Sequence, residues 1–322
     1  MTLAIIFAFF VATAGTWLMI RLAPTLKLVD KPNERSSHSR PTARGGGLAI
    51  VATVSIAGLS RPGEGADLSA LLLFSLPIAT LGLIDDRVGL SVGIRLGVQL
   101  VTSIGFVLAA AGSASGMAGA IASALAIAWA CNLFNFMDGI DGMAGTEAVF
   151  ICGVSAWLVW AQDPALAAAL CVVAASCAGF LLWNWSPARI FMGDVGSAYL
   201  GFLIAAFAYT TVIRGLVALP VWITLWSLFI ADTSVTLLRR VVRREKWWTA
   251  HRTHAYQHLN ALLKSHAKVT CIYSATNLII VTPAAWFAHS HAYAAWWTCG
   301  LLLSALMAIA WLIGAGTRRA VA

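Results

Sequence analysis

Acidic side chains are scarce in this chain: 13 Asp and Glu stand among 322 residues, and charged residues of both signs make up 11%. An ordinary soluble domain carries roughly 25%. With 60% hydrophobic residues and a mean hydropathy of +0.83, this shortage excludes a soluble globular enzyme. The six cysteines (Cys131, Cys152, Cys171, Cys177, Cys271, Cys299) lie in or beside apolar runs and lack metal-type C-x-x-C spacing. That excludes a zinc scaffold or a disulfide framework and leaves reduced packing residues. Ala12-Thr13-Ala14 imitates a signal-peptidase site, yet no basic segment precedes it and the apolar run continues to Leu22, so a retained span is expected. No repeat recurs at a fixed period and no low-complexity tract is present beyond Ala-rich spans, which excludes a solenoid.

What the chain has in abundance is long apolar runs, near 3–22, 45–60, 68–84, 96–112, 116–134, 146–161, 164–183, 197–213, 217–238, 269–288 and 292–313. Eleven spans of about 20 residues take roughly 220 positions and leave about 100 for loops, so no separate soluble domain fits. The expectation is an all-α integral membrane protein: one domain over 1–322, a polytopic bundle of eleven transmembrane helices, or ten if the short glycine-opened run at 45–60 is discounted.

Charge orients this bundle. With segment 21–44 in the cytosol, 19 of the 21 Lys and Arg fall on cytosolic loops, and only Arg61 and Arg214 lie outside. This asymmetry predicts an outside N-terminus and a cytosolic C-terminus. The net charge of +8 is then mainly a topology signal, with membrane lipids rather than nucleic acid as the partner. Ten of the 13 acidic residues also fall on the cytosolic side, the exceptions being Glu64, Asp67 and Asp163. The chemistry is therefore expected in cytosolic active-site loops.

Five stretches there carry it. Arg44-Gly45-Gly46-Gly47 opens a span, and its backbone N–H groups suit close approach to a phosphate, although a basic loop with a flexible hinge reads the same way. Asp85-Asp86-Arg87 ends an apolar run, and adjacent carboxylates at a membrane boundary call for a cation, a proton or Arg87 as counter-ion. In Asn132-Leu-Phe-Asn135-Phe-Met-Asp138-Gly-Ile-Asp141-Gly, four polar side chains recur every three residues. Such hard oxygen ligands suit Mg²⁺, which typically takes one or two protein ligands and completes its octahedron with phosphates and water. Asp194, between Gly193 and Val195-Gly196-Ser197, is a metal ligand or a helix cap, and Phe191 is a stacking platform or an interfacial aromatic. The longest cytosolic loop holds His251-Arg252-Thr253-His254-Ala255-Tyr256-Gln257, whose donors fit a pyrophosphate. Asp232, late in a span, reads equally as a helix contact or a site carboxylate.

In this order, these motifs resemble the polyprenyl-phosphate N-acetylhexosamine-1-phosphate transferases, a glycosyltransferase 4 type family that includes the phospho-MurNAc-pentapeptide transferases. The likeness runs from about residue 25 to 260. It implies Mg²⁺-dependent transfer of a sugar-1-phosphate from a UDP-N-acetylhexosamine to undecaprenyl phosphate, releasing UMP, with Mn²⁺ as a substitute ion and room for a homodimer. By this resemblance Asp194 and Asn135 match the metal ligands, and Asp141 and Phe191 match the uracil contacts. Arg252 and His254 match phosphate-binding residues of the last loop, Arg44, Asn132 and Asp138 join the substrate site, and Asp85 with Asp86 orients or deprotonates the lipid phosphate.

The last loop departs from the pentapeptide-transferring branch, which carries three consecutive histidines, and Arg44-Gly-Gly-Gly is similar to the branch that primes O-antigen or other surface polysaccharides. A pentapeptide transferase and a flippase of lipid-linked sugars are the rival readings. A flippase would place polar groups at the membrane midplane, whereas the acidic residues here cluster at span ends.

Overall fold

The computed structural model describes residues 2–30, 41–59, 66–111, 116–246, 249 and 251–317. The basic stretch 31–40, Arg61, Glu64, Arg318 and Arg319 entered the charge count above and lie outside the described residues. Two compact units are formed, one up to Val217 and one from Ala218 onward, a finer division than the single expected domain.

The first unit consists of α1 (Thr2–Leu22), α2 (Gly47–Leu59), α3 (Ala66–Val88), α4 (Val92–Ala111), α5 (Met117–Met137), α6 (Met143–Val159), α7 (Pro164–Asn184) and α8 (Asp194–Ile213). A two-residue antiparallel pair, β1 (Val29–Asp30) with β2 (Thr42–Ala43), precedes α2, and Ala43 bridges in parallel to Ile190. The α8 sequence is apolar all round, which suits an interior helix. Accordingly, 15 of its 20 residues are buried, and it packs against α2, α3, α4, α5 and α6. Glycines let backbones meet there: a Cβ on Gly82 would lie 2.4 Å from the Asp194 carbonyl oxygen, and one on Gly201 2.4 Å from that of Ala130. Outward faces expose Leu3, Phe10, Leu73, Val101 and Leu108, as a lipid-facing surface requires.

The second unit contains α9 (Leu219–Leu225), α10 (Ser227–Val242), α11 (Ala255–Leu263), α12 (His266–Thr276), α13 (Thr282–Ser290) and α14 (Ala295–Ile313). A π-helical stretch, Asn277–Val281, joins α12 to α13 ahead of Pro283. The run 217–238, expected as one span, is instead bent by 76° between α9 and α10. Trp226 sits at the break with φ −89° and ψ 1°, and neither proline nor glycine marks it.

Helices thus cover every predicted run, and the chain is an all-α, multi-pass membrane protein. The expected count of ten or eleven spans is not reached by length and composition. Among the described residues, seven helical segments suffice to cross a bilayer, or eight if α9 and α10 form one span, while α2 and α6 are shorter. All six cysteines are free thiols, four of them buried.

Candidate active site at one end of the first unit

The ends of α3, α5 and α7 and the starts of α2, α4, α6 and α8 come together at one end of the first unit, and nearly all its motif residues lie there. The opposite end is tied by Arg214 to Asp163 at 2.8 Å.

Asp85 and Asp86, adjacent in sequence, face different partners. Asp86 is fully buried, and its carboxylate accepts the backbone N–H groups of Asp194 and Val195 at 2.9 and 3.1 Å. It caps the N-terminus of α8 and meets Arg44 Nε at 2.8 Å. The anion that the start of α8 attracts is therefore a side chain of this protein. Asp85 accepts the Leu90 N–H at 2.5 Å and pairs with Arg95 Nη1 at 2.9 Å. Arg44 Nη2 reaches Asp194 Oδ1 at 2.8 Å, and Arg95 Nη1 reaches Asp194 Oδ2 at 3.4 Å. Two guanidiniums thus interleave three carboxylates, and Asp138 adds a fourth. Burial opposes the charge on Arg44, but Asp86 and Asp194 outweigh it and raise its pKa above the ordinary value. Burial raises the Asp138 pKa well above the usual carboxyl range, reinforced by Asp194 and opposed by Arg44.

The polyglycine expectation is corrected here. Gly46 and Gly47 donate their N–H groups to the carbonyls of Phe191 and Met192 at 3.0 and 2.9 Å, so these donors are committed to the protein itself. The reason for glycine is contact: a Cβ on Gly47 would stand 2.2 Å from the Gly196 Cα. Phe191 is held through its backbone, its N–H donating to the Ala43 carbonyl at 2.8 Å.

On α5, Asn135 Nδ2 donates to Ser197 Oγ at 3.0 Å, and Asn132 Nδ2 donates to Gln99 Oε1 at 2.7 Å. Asp141 accepts the Ala188 N–H at 3.1 Å, and Asn184 accepts the Gly142 N–H at 3.0 Å, so the Asp-Gly turn is fastened to the loop after α7. Sequence reasoning missed Arg95 and Gln99 as site residues. One helical turn apart on α4, they face the acidic motifs together, and that i, i+4 spacing in an apolar helix is the signal that could have found them. A small cleft lies among Asp85, Arg95, Gln99, Asn132, Asn135 and Asp194, with Leu81, Gly82 and Ala198 in its wall. Arg95 Nε is buried there without a hydrogen-bond partner, a donor positioned for an anionic group.

Among the described residues, no group of three or more His, Cys, Asp or Glu side chains is arranged to hold a metal ion alone. The donor set still fits a hard cation whose remaining ligands come from phosphate and water: carboxylate and amide oxygens exceed the guanidiniums, and soft ligands are lacking.

Arg252 and His254 belong to the second unit. Asp232 there accepts the His254 Nδ1–H at 3.1 Å, the Ala255 and Tyr256 N–H groups at 2.8 and 3.0 Å, and the Tyr273 hydroxyl at 3.2 Å. This settles what the sequence left open, since Asp232 caps α11 from α10. The His251, His254 and Tyr256 rings stack in a column with centroids 5.0 and 5.6 Å apart. Arg252 is exposed beside them. Burial, with the His254 and Arg240 charges, lowers the His251 pKa to about 3, against the opposing effect of Asp232.

Fold and site together define a multi-pass membrane protein with a charge-interleaved cleft at one end of its helices. The model for glycosyl transferase family 4 matches residues 68–212, a stretch running from before Asp85 to beyond Ser197. The chain is similar to a probable undecaprenyl-phosphate N-acetylglucosaminyl 1-phosphate transferase of Bacillus subtilis, 27% identical over 270 residues, covering 78% of this chain and 75% of the relative. It is 29% identical over 305 residues to a decaprenyl-phosphate N-acetylglucosaminephosphotransferase of Mycobacterium leprae, covering 80% and 76%. A phospho-N-acetylmuramoyl-pentapeptide-transferase of Synechococcus elongatus is 42% identical over 111 residues, which cover 34% of this chain and 28% of that protein.

Proposed function

We propose that the protein transfers N-acetylhexosamine-1-phosphate from a UDP-sugar to undecaprenyl phosphate in the bacterial inner membrane, priming a surface polysaccharide such as O-antigen. The observation that carries this reading is the cleft itself: Asp85, Asp194, Asn135 and the unsatisfied Arg95 Nε converge at the end of apolar helices, where a lipid phosphate and a water-borne diphosphate can meet. Breadth of similarity favours the N-acetylglucosamine-1-phosphate transferases over the pentapeptide transferases, whose match covers a smaller part of the chain. The charge asymmetry supports a cytosolic cleft, an outside N-terminus and a cytosolic C-terminus.

An oxygen of the lipid phosphate attacks the sugar-bearing phosphorus of the donor. The bond from that phosphorus to the bridging oxygen breaks, and UMP leaves with that oxygen. A phosphate monoester with its second pKa near 6 is already largely dianionic at neutral pH, so little base strength is demanded. Positioning and charge neutralisation dominate such transfers. Asp85, fixed by Arg95 and the Leu90 N–H, orients the acceptor. Arg44 and Arg95 exchange their carboxylate partners for phosphate oxygens, which releases Asp194. Asp194 and Asn135 are the residues that would hold Mg²⁺, which when bound supplies neutralisation of the diphosphate. Asp141 and Phe191 meet the uracil.

The test incubates purified protein with undecaprenyl phosphate, Mg²⁺ and a panel of UDP-sugars, including UDP-N-acetylglucosamine and UDP-MurNAc-pentapeptide, and follows UMP. Release with an N-acetylhexosamine donor supports the reading. Release only with the pentapeptide donor moves the protein to the other branch. No release with any donor, in Mg²⁺ or Mn²⁺, sinks the transferase assignment.

A further inference from the structure

The segment Arg252-Thr253-His254 is held from two sides inside the second unit. From α10, Asp232 accepts the His254 ring N–H and the first two backbone N–H groups of α11, which fixes both the ring and the direction in which the chain enters the helix. From the end of α14, the Gly316 N–H donates to the Thr253 carbonyl at 2.7 Å. That turn is itself braced. The Arg239 guanidinium lies 3.3 Å from the Trp311 ring centroid and donates to the Ala315 carbonyl at 2.8 Å. Ala315 packs with Val235, Ala255 and Ala310. Gly316 has φ +75°, and a Cβ there would lie 2.7 Å from Arg239 Cβ and 2.8 Å from the Thr236 carbonyl oxygen, so a larger residue must displace the turn.

A loop that binds phosphate with a flexible arginine loses affinity to ordering entropy unless its backbone is set beforehand. Both anchors lie just after Arg252 in the chain, one on the Thr253 carbonyl and one on the His254 ring and the start of α11. We propose that Asp232 and the C-terminal turn at Gly316 are positioning elements that preset Arg252 and His254 for a substrate phosphate. The inference rests on the reading above that Arg252 and His254 meet phosphate.

The test compares Gly316→Ala, Asp232→Asn, Arg252→Ala and the Arg252→Ala/Gly316→Ala double variant in the UMP-release assay, with Gly300→Ala, whose Cβ meets nothing within 4 Å, as control. Hydrogen–deuterium exchange of the 251–258 peptide is recorded on the same full-length samples. Gly316→Ala and Asp232→Asn are expected to speed exchange in that peptide and to raise KM for donor or acceptor by about tenfold or more while kcat changes less. In the Arg252→Ala background, Gly316→Ala is expected to add little, because the residue being positioned is gone. Wild-type exchange and KM in both single variants overturn the proposal. So does a full additive loss in the double variant, which marks general destabilisation. If Arg252→Ala keeps the wild-type KM while exchange responds to Gly316→Ala, the brace stands and the phosphate role of Arg252 fails, and with it this inference. Unaltered exchange alongside an impaired Arg252→Ala rejects the brace alone.

Discussion

Asp86 and Asp194 lie 108 residues apart, and the carboxylate of the first accepts the backbone N–H of the second at 2.9 Å. The bond joins the end of α3 to the start of α8 and orients the Asp194 side chain toward Arg44 and Arg95. Of two neighbouring aspartates, one therefore builds the cleft and the other lines it.

This division of labour predicts different outcomes for the two. Asp86→Asn offers one acceptor oxygen where two backbone donors and Arg44 require a carboxylate, so the thermal unfolding midpoint in detergent is expected to fall, at a cost of about 1–3 kcal/mol. Asp85→Asn is expected to leave the midpoint near wild type and to lower UMP release by about a hundredfold. Equal midpoints for the two variants would contradict the assignment.

Gly47 supplies a second contrast. Its N–H serves the Met192 carbonyl and its Cα nearly touches Gly196, so Gly47→Ala must push α2 off α8. The yield of monodisperse protein after detergent extraction is expected to fall sharply, whereas Gly93→Ala, with open space around the new methyl, should match wild type. If Gly47→Ala extracts normally and loses only donor affinity, the glycine serves an anion instead.

Much of this molecule is legible in the sequence because a bilayer permits few alternatives. Each apolar run became helix, and the acidic motifs at span ends fell on one end of the first unit. Pairings across long separations stayed hidden. Nothing local to Asp86 reveals that its partners are N–H groups beyond residue 190, and Gly46 and Gly47 resemble an anion cradle until the Phe191 and Met192 carbonyls occupy it. Arg95 is hidden for another reason: a basic residue near a span end is ordinarily a topology marker, and its contacts with Asp85 and Asp194 exist only once α3, α4 and α8 have packed. The bend at Trp226 lies inside an unbroken apolar run and carries no compositional mark.

Arg95 supplies a prediction of its own. It contacts Asp85 and Asp194 through one nitrogen and leaves Nε for a ligand, an arrangement that needs the planar fork. Arg95→Lys keeps the charge and loses the fork, so UMP release is expected to drop by about tenfold or more with little change in extraction yield. Wild-type turnover in Arg95→Lys would reduce this residue to a point charge.

His251 bears on how activity and stability respond to pH. Its folded pKa of about 3 lies below the ordinary histidine value near 6.5, because burial and the neighbouring His254 and Arg240 charges disfavour the imidazolium. Between these two values the unfolded chain binds the extra proton and the folded chain does not, so stability rises with pH across that window. The contribution is complete above about pH 6.5 and is lost as pH falls toward 3. His251 is thus neutral throughout the working range and supplies a hydrogen-bonding ring, with no positive charge for a phosphate. Histidine-selective NMR is expected to show no titration of His251 between pH 5 and 8, and His251→Asn should leave the pH profile of UMP release unchanged in shape. A His251 resonance that titrates near 6.5 would show that this ring is solvated and that the stacked column with His254 and Tyr256 is not its resting arrangement.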